Sequence, residues 1–319
     1  MAQVVLVTPD NFRRAETDLY FSRFVKDGGL GKFVHNREPT PIDDQDVVRM
    51  NRDTLYSMAV FDLDAGPVTI RLPDSGKRFM SLQVWDEDEY CPLVAYSGGK
   101  YVMTREKIGT RYAGVGVRIL ADPANRADIK EVQALQDAIK VDQKSPGRFE
   151  TPQWDLDSQK RVREALEMLG KTTTDFQHAF GSKDEVDPVR HLIGAAVGWG
   201  GNPEKDAIYL NVTPKQNDGK TAYRMHVPAD VPVDGFWSIS VYNKDGYFEK
   251  NASDAYSVNN IIAAKNADGS VDVQFGGCSG NQPNCVPITP GWNMIVRLYR
   301  PRKDIIEGRW KFPEATPVQ

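Results

Sequence analysis

The chain has 319 residues, 40 % of them hydrophobic and 26 % charged, and its 40 basic and 44 acidic side chains give a formal net charge of −4. That is apolar mass for about two ordinary domains, and it excludes a disordered chain. No apolar run approaches the roughly 18–20 residues of a membrane span, and no basic stripe marks a nucleic-acid binder.

Residues 8–27 read as a helix: Thr8 suits the N-cap, Pro9 the first helical position, and Gly28-Gly29 the stop. The period then changes to two. Val68, Ile70 and Leu72 alternate, as do Met80, Leu82 and Val84, with a turn at Pro73-Asp-Ser-Gly76. Residues 121–198 return to helical spacing. Ile129, Val132, Leu135 and Ile139 mark one helix, Val162, Leu166 and Leu169 a second, Phe176 to Phe180 a short third, and Val189, Leu192, Ile193 and Ala196 a fourth behind Asp187-Pro188. Strands resume at 207–212, 221–227, 235–242, 270–275 and 292–299.

The two β blocks resemble each other. Ser81-Leu-Gln-Val-Trp-Asp86 aligns with Ser238-Ile-Ser-Val-Tyr-Asn243, and Ile70-Arg-Leu-Pro73 with Met225-His-Val-Pro228. The expected fold is mainly β with helical additions: two related β-sandwich-like domains with a helical block between them. The boundaries are 1–120 for the first β domain, 121–198 for the helices and 199–319 for the second. Cys278 and Cys285, seven apart in a Gly/Asn/Pro loop, suggest a disulfide, since nothing apolar would otherwise hold that loop. The N-terminus has only a four-residue apolar stretch, Val4 to Val7, and no basic start, so it is no secretory signal. That leaves either a cytoplasmic protein or a mature form with an added Met, and the cysteine pair favours the periplasmic or secreted mature form.

Arg14-Ala-Glu-Thr-Asp18, Arg49-Met-Asn-Arg-Asp-Thr-Leu-Tyr-Ser57 and Arg78-Phe-Met-Ser-Leu-Gln-Val-Trp-Asp86 belong to one resemblance, and Phe236-Trp-Ser-Ile-Ser-Val-Tyr242, Asn251, Tyr256-Ser257 and Arg297-Leu-Tyr-Arg-Pro301 complete it. The chain resembles the tandem family of domains of unknown function 1254 and 1214 over nearly its whole length. The resemblance implies a two-domain, mostly β architecture in a family widespread in bacteria, with many exported members. It implies no mechanism and no catalytic residues.

Arg49-Met-Asn-Arg-Asp-Thr-Leu-Tyr56 is the most polar segment that reads as ordered. An Asp flanked by Arg and Asn is either an oriented carboxylate in a site or part of an ion-pair network. His35, in the loop before it, is a candidate general base or a surface histidine. On the first reading the chain is a hydrolase for a small anionic substrate such as a phosphate ester, acting in the cleft between the domains. Asp53 or His35 then acts as acid/base, Arg49, Asn51, Arg52, Tyr56 and Arg78 bind substrate, and Trp85, Tyr242 and Tyr299 form walls. The alternative is a non-catalytic sugar- or polyol-binding protein, or an interaction module of an exported assembly. No cofactor or metal motif occurs, although the run Asp86-Glu-Asp-Glu89 leaves a divalent cation open against the alternative of a solvated turn. The expected partner is a small molecule, with a homo-oligomer open. His226 is expected at a core or an interface, and His178 and His191 in structural positions.

Overall fold

Strands form where apolar residues alternate or run together, and the computed structural model, which describes residues 3–45, 48–280 and 282–318, assembles them into four sheets. In the first half the strands are β1 (Val34–His35), β2 (Thr54–Asp62), β3 (Val68–Leu72), β4 (Met80–Trp85), β5 (Leu93–Ala95), β6 (Gly99–Met103), β7 (Tyr112–Leu120) and β8 (Lys140–Asp142). The second half supplies β9 (Ala207–Val212), β10 (Tyr223–Val227), β11 (Trp237–Tyr242), β12 (Ser257–Asn259), β13 (Val271–Phe275), β14 (Cys285–Val286), β15 (Asn293–Tyr299) and β16 (Thr316–Pro317). The helices are α1 (Phe12–Lys26), α2 (Arg105–Ile108), α3 (Arg126–Ala138), α4 (Leu156–Gly170), α5 (Pro188–Gly198) and α6 (Lys303–Ile306).

The chain divides into two compact units. Unit 1 comprises Met1–Arg37, Leu55–Leu120 and Lys130–Glu204, and unit 2 comprises Glu38–Thr54, Ala121–Ile129 and Lys205–Gln319.

Unit 1 holds a sheet in the order β1-β2-β7-β4-β5 and a smaller one in the order β6-β3-β8. Unit 2 holds β12-β11-β15-β9 and β14-β13-β10-β16. The orders match strand for strand: β2, β7, β4, β5 correspond to β9, β15, β11, β12, and β6, β3, β8 to β13, β10, β16. Register agrees as well, because Ser81 faces Arg118 across β4–β7 as Ser238 faces Arg297 across β11–β15. The fold is therefore mainly β, with two related units and added helices.

Burial separates the sheets of each unit. Every residue of β4, β7, β11 and β15 is buried, so these sheets are covered on both faces. Strands β3 and β10 alternate between buried and open positions, as an outer sheet does. In unit 2 the space between the sheets is filled by Tyr223, Met225 and Val227 of β10 against Trp237, Ile239 and Val241 of β11. Helices α4 and α5 pack on α1 around Phe12, Ala15, Leu166 and Ile193.

Several details differ from the sequence reading. Helix α1 begins at Phe12, because Thr8 to Asn11 form a turn in which the Asn11 side chain accepts the Thr8 N–H. Residues 176–180 are turns rather than a helix. His226 lies on the open face of β10, equivalent to Arg71, and pairs with Asp272 at 2.7 Å. The acidic run 86–89 is folded inward, as described below. Strand β7 falls in a stretch left unassigned above, where Gly114 and Gly116 interrupt the apolar pattern. They do so because Phe21 and Trp85 occupy the places of their missing side chains.

Cys278 and Cys285 are disulfide-bonded, and Cys91 is a buried free thiol. The bridge closes the loop leading from β13 into β14, whose only strand partner among the described residues is β13. Cys285→Ser is expected to lower unfolding free energy by about 2–3 kcal/mol. Urea denaturation checks this, and thiol titration of the unreduced, unfolded chain should find one cysteine.

Candidate functional site

The conspicuous polar cluster of unit 2 grows from the second face of the β11–β15 pair. Ser238, Ser240 and Tyr242 alternate with core residues along β11, and Asn293, Ile295, Arg297 and Tyr299 along β15. This face lies opposite the one that packs on the other sheet. It is covered by the segment 48–54, a strap whose residues 50–53 have no regular structure. Met50 and Ile42 pack against Tyr242, Phe248, Tyr256 and Ile295.

Arg297 holds the strap down. Its guanidinium is 3 % exposed, and it donates to Ser240 Oγ at 2.8 Å, to the Arg49 carbonyl at 2.9 Å and to Tyr242 Oη at 2.7 Å. The Tyr242 hydroxyl in turn donates to the Met50 carbonyl at 2.7 Å. Desolvation opposes the charge on Arg297, but Tyr242, Tyr299 and Asp53 outweigh it and hold its pKa above the ordinary value. Arg49 takes a positive φ of 56°, which turns its carbonyl into the strap's bonding position and leaves its own guanidinium near Asn293 at 3.3 Å.

Asn51 and Asp53 continue the strap. Asn51 accepts the Asp53 N–H and donates to Tyr299 Oη at 3.0 Å. Asp53 is 1 % exposed, and its Oδ1 accepts from Asn259 Nδ2 at 3.1 Å. Its Oδ2 has no well-formed hydrogen bond. Burial raises the Asp53 pKa, against the pull of Arg297, Ser238 and Asn259. The side chain of Arg52 leaves the strap elsewhere: it donates to the Thr40 carbonyl and lies over the Tyr256 ring, 5.3 Å from its centre. Tyr256 and Tyr242 line a recess with Asn243, Lys250, Asn251 and Thr289. Its volume, about 30 Å³, suits a group the size of one or two water molecules.

Six of the ten expected site residues thus belong to unit 2: Arg49, Asn51, Arg52, Asp53, Tyr242 and Tyr299. The other four, His35, Tyr56, Arg78 and Trp85, belong to unit 1. His35 lies in the short strand β1 and pairs with Ser57 Oγ at 2.7 Å, with burial and Arg37 lowering its pKa. Arg78 donates to the Leu120 carbonyl at 2.8 Å and to Glu131 at 2.9 Å. Arg118, the counterpart of Arg297, donates to Gln83 Oε1 at 2.6 Å and lies over the rings of Tyr56 and Trp85.

Unit 1 also carries a group of buried acids, including three from the run 86–89, for which the sequence offers a solvated turn or a cation site. Asp86 Oδ1 accepts the N–H groups of Asp88 and Tyr90, which curls the run inward and puts Glu89 at a positive φ of 68°. Glu87 accepts the Tyr112 N–H, and Arg14 takes Asp88 in a two-pronged bond. His191 is fully buried between the Ala179 and Asp88 carbonyls and stacks on Tyr90. On α1, Asp18 accepts the Trp154 indole N–H at 2.8 Å, while Glu16 pairs with Arg163. Desolvation pushes both Asp18 and Asp86 up to about 7, and Glu89 well above the usual carboxylate range. The only sequence signal for this inward fold was the arginines of α1, three and four residues before Glu16, Thr17 and Asp18. Among the described residues no three His, Cys, Asp or Glu side chains are grouped to hold a metal ion.

Two tests follow from this geometry. Arg297→Met leaves the strap carbonyls and Asp53 without their cation, and is expected to cost about 3–5 kcal/mol in denaturant unfolding. Asp18, raised from 3.8 to about 7, binds its proton more tightly folded than unfolded, so its contribution falls as pH rises from about 4 to 7 and is flat above. Asp18→Asn removes that dependence. The melting temperature of the variant relative to the parent should therefore rise between pH 5 and pH 8.

Residues 30–143 match the family described as "Protein of unknown function (DUF1254)", and residues 208–303 match "Protein of unknown function (DUF1214)". Among solved structures the chain is similar to the VPA0106 protein from Vibrio parahaemolyticus, at 18 % identity and TM-score 0.74, with 96 % of each chain covered. It is also similar to a putative uncharacterized protein from Burkholderia cenocepacia, at 13 % identity and TM-score 0.55, covering 97 % of this chain and 87 % of that one. At such identities the likeness is one of fold. No curated protein matches the chain. With one family in each half, in the order that the repeated strands follow, the chain is a tandem DUF1254–DUF1214 protein.

Proposed function

We propose that the chain binds a small anionic ligand at the open mouth of the Tyr256 recess of unit 2, with a single oxygen of the ligand entering it. The supporting observation is Arg52. Its guanidinium is half-buried, stacks on Tyr256 and makes no ion pair with a carboxylate among the described residues. Burial lowers its pKa, with Asp254 and Tyr256 pulling the other way. A desolvated guanidinium of this kind gains most from a carboxylate or phosphate oxygen, which it can meet with two parallel N–H groups. Lys250 lies on the recess wall beside Glu249 and pairs with Asp43 at 3.3 Å.

The narrower activity is hydrolysis of a small anionic ester, with a phosphate ester the first to try. Arg52 and Arg49 would hold the anion, and Asp53 would serve as the acid/base group. A second reading, favoured by Tyr242, Asn243, Asn251 and Tyr256 along the recess, is a sugar or polyol held by aromatic and amide groups. The disulfide accords with a periplasmic or secreted setting, where such a bond persists. No helix among the described residues is long and apolar enough to cross a membrane.

Calorimetric titration with inorganic phosphate and with sorbitol separates these readings. Arg52→Ala should weaken phosphate binding roughly 10–100-fold, the effect of one charge-assisted contact, with little change in melting temperature. Asp53→Asn should keep phosphate affinity and remove turnover of a phosphate ester. If the parent protein binds sorbitol and ignores phosphate, the polyol reading replaces the anionic one. If both variants melt early while affinity per folded molecule is unchanged, Arg52 and Asp53 serve the strap alone.

A further inference from the structure

Unit 1 holds two buried polar atoms that border one glycine and have no partner: Trp85 Nε1 and Glu89 Oε2. Both side chains are 2 % exposed. Gly200 links them. Its N–H donates to Glu89 Oε1 at 2.9 Å, and a Cβ built on it would stand 3.9 Å from Trp85 Nε1. Its φ of +77° is the left-handed conformation that glycine adopts without cost, and a Cβ there would stand in contact with the Trp85 ring edge at 3.5 Å. The neighbouring acids are already bonded: Glu16 to Arg163 and Gln159, Asp88 to Arg14, and Asp86 to two backbone N–H groups. Buried donors and acceptors are seldom left unpaired in native proteins, so a bare N–H and a bare carboxyl oxygen at the same glycine point to a third party.

We propose that Trp85, Glu89 and Gly200 form a receptor for one hydroxyl group, carried by a bound water or by a polyol. An oxygen placed there accepts the Trp85 N–H with one lone pair. Its other lone pair accepts the Glu89 proton when the acid is neutral, and its own hydrogen is donated to Glu89 Oε2 when the acid is ionised. Burial raises the Glu89 pKa well above the ordinary value, which shifts the balance towards the first arrangement. The Trp199 ring centre is 5.4 Å from that of Trp85, and Tyr20 stacks on Trp199 at 4.2 Å. Aromatic rings of this kind suit the C–H faces of a polyol around its one bonded hydroxyl. This receptor is independent of the recess in unit 2.

Crystals of the full chain, grown without polyol and then soaked in glycerol, test it. The expected result is an ordered oxygen within roughly 2.7–3.2 Å of both Trp85 Nε1 and Glu89 Oε2. A lone oxygen that persists through the soak identifies water as the source, and a glycerol hydroxyl in its place identifies a polyol. Trp85→Phe removes the donor and should empty the position while leaving the Gly200–Glu89 bond intact. Glu89→Gln keeps an acceptor for Gly200 and should retain the oxygen. The proposal is overturned by the absence of any such oxygen in both crystals, by one that touches only one of the two atoms, or by an unchanged oxygen in the Trp85→Phe crystal.

Discussion

Unit 2 depends on a cation buried against backbone carbonyls. A sheet face that carries Ser238, Ser240, Tyr242 and Arg297 is too polar to be sealed by an apolar layer. It is sealed instead by a strap that brings its own acceptors, the carbonyls of Arg49 and Met50, to the guanidinium fork. A lysine would present a single ammonium point where the site needs several N–H vectors in a plane. Around this bond the remaining polar groups fall into order. Tyr242 bridges the arginine and the strap, Asn51 reaches Tyr299, and Asp53 lies where the field of Arg297 partly offsets its desolvation.

Unit 1 solves the same problem with different residues. Arg118 stands where Arg297 stands, and Gln83 where Ser240 stands. The longer Gln83 side chain bonds Arg118 with its oxygen and the Gly201 carbonyl with its amide nitrogen, so it ties the sheet to the chain following α5. The aromatic at the end of each strand differs in kind: Tyr242 offers a hydroxyl to the arginine, whereas Trp85 offers only a ring face to Arg118. One strand arrangement has thus been furnished twice, once as a clamp on backbone and once as a mixed aromatic and acidic interior.

Much of the fold was legible because the signals were local. Alternation at 68–72, 80–85, 207–212 and 237–242 located strands directly, and Asp187-Pro188 located α5, whose N-cap Asp187 bonds the N–H groups of Val189 and Arg190. The repeat was visible because β4 and β11 keep their face pattern residue by residue. Strand β7 was hidden by glycines that exist to admit Phe21 and Trp85, a requirement set by tertiary contacts. The acidic run 86–89 was misjudged because four charges in sequence look solvated. Its inward turn depends on Asp86 bonding its own backbone and on Arg14, more than seventy residues earlier. The strap residues were singled out for their polarity, but the partner that explains them, Arg297, lies almost 250 positions downstream. No spacing rule connects the two.

The strap has a consequence for how such proteins can be inherited. The boundaries of the second family region, 208–303, enclose Arg297 but not the carbonyls that satisfy it. A gene fragment cut at those boundaries would encode a sheet with an uncovered buried cation. The two halves, although built on one strand plan, are thereby bound to travel as a pair. Duplication could create the second sheet, but once residues 48–54 became its cover, recombination between the halves could no longer separate them without loss.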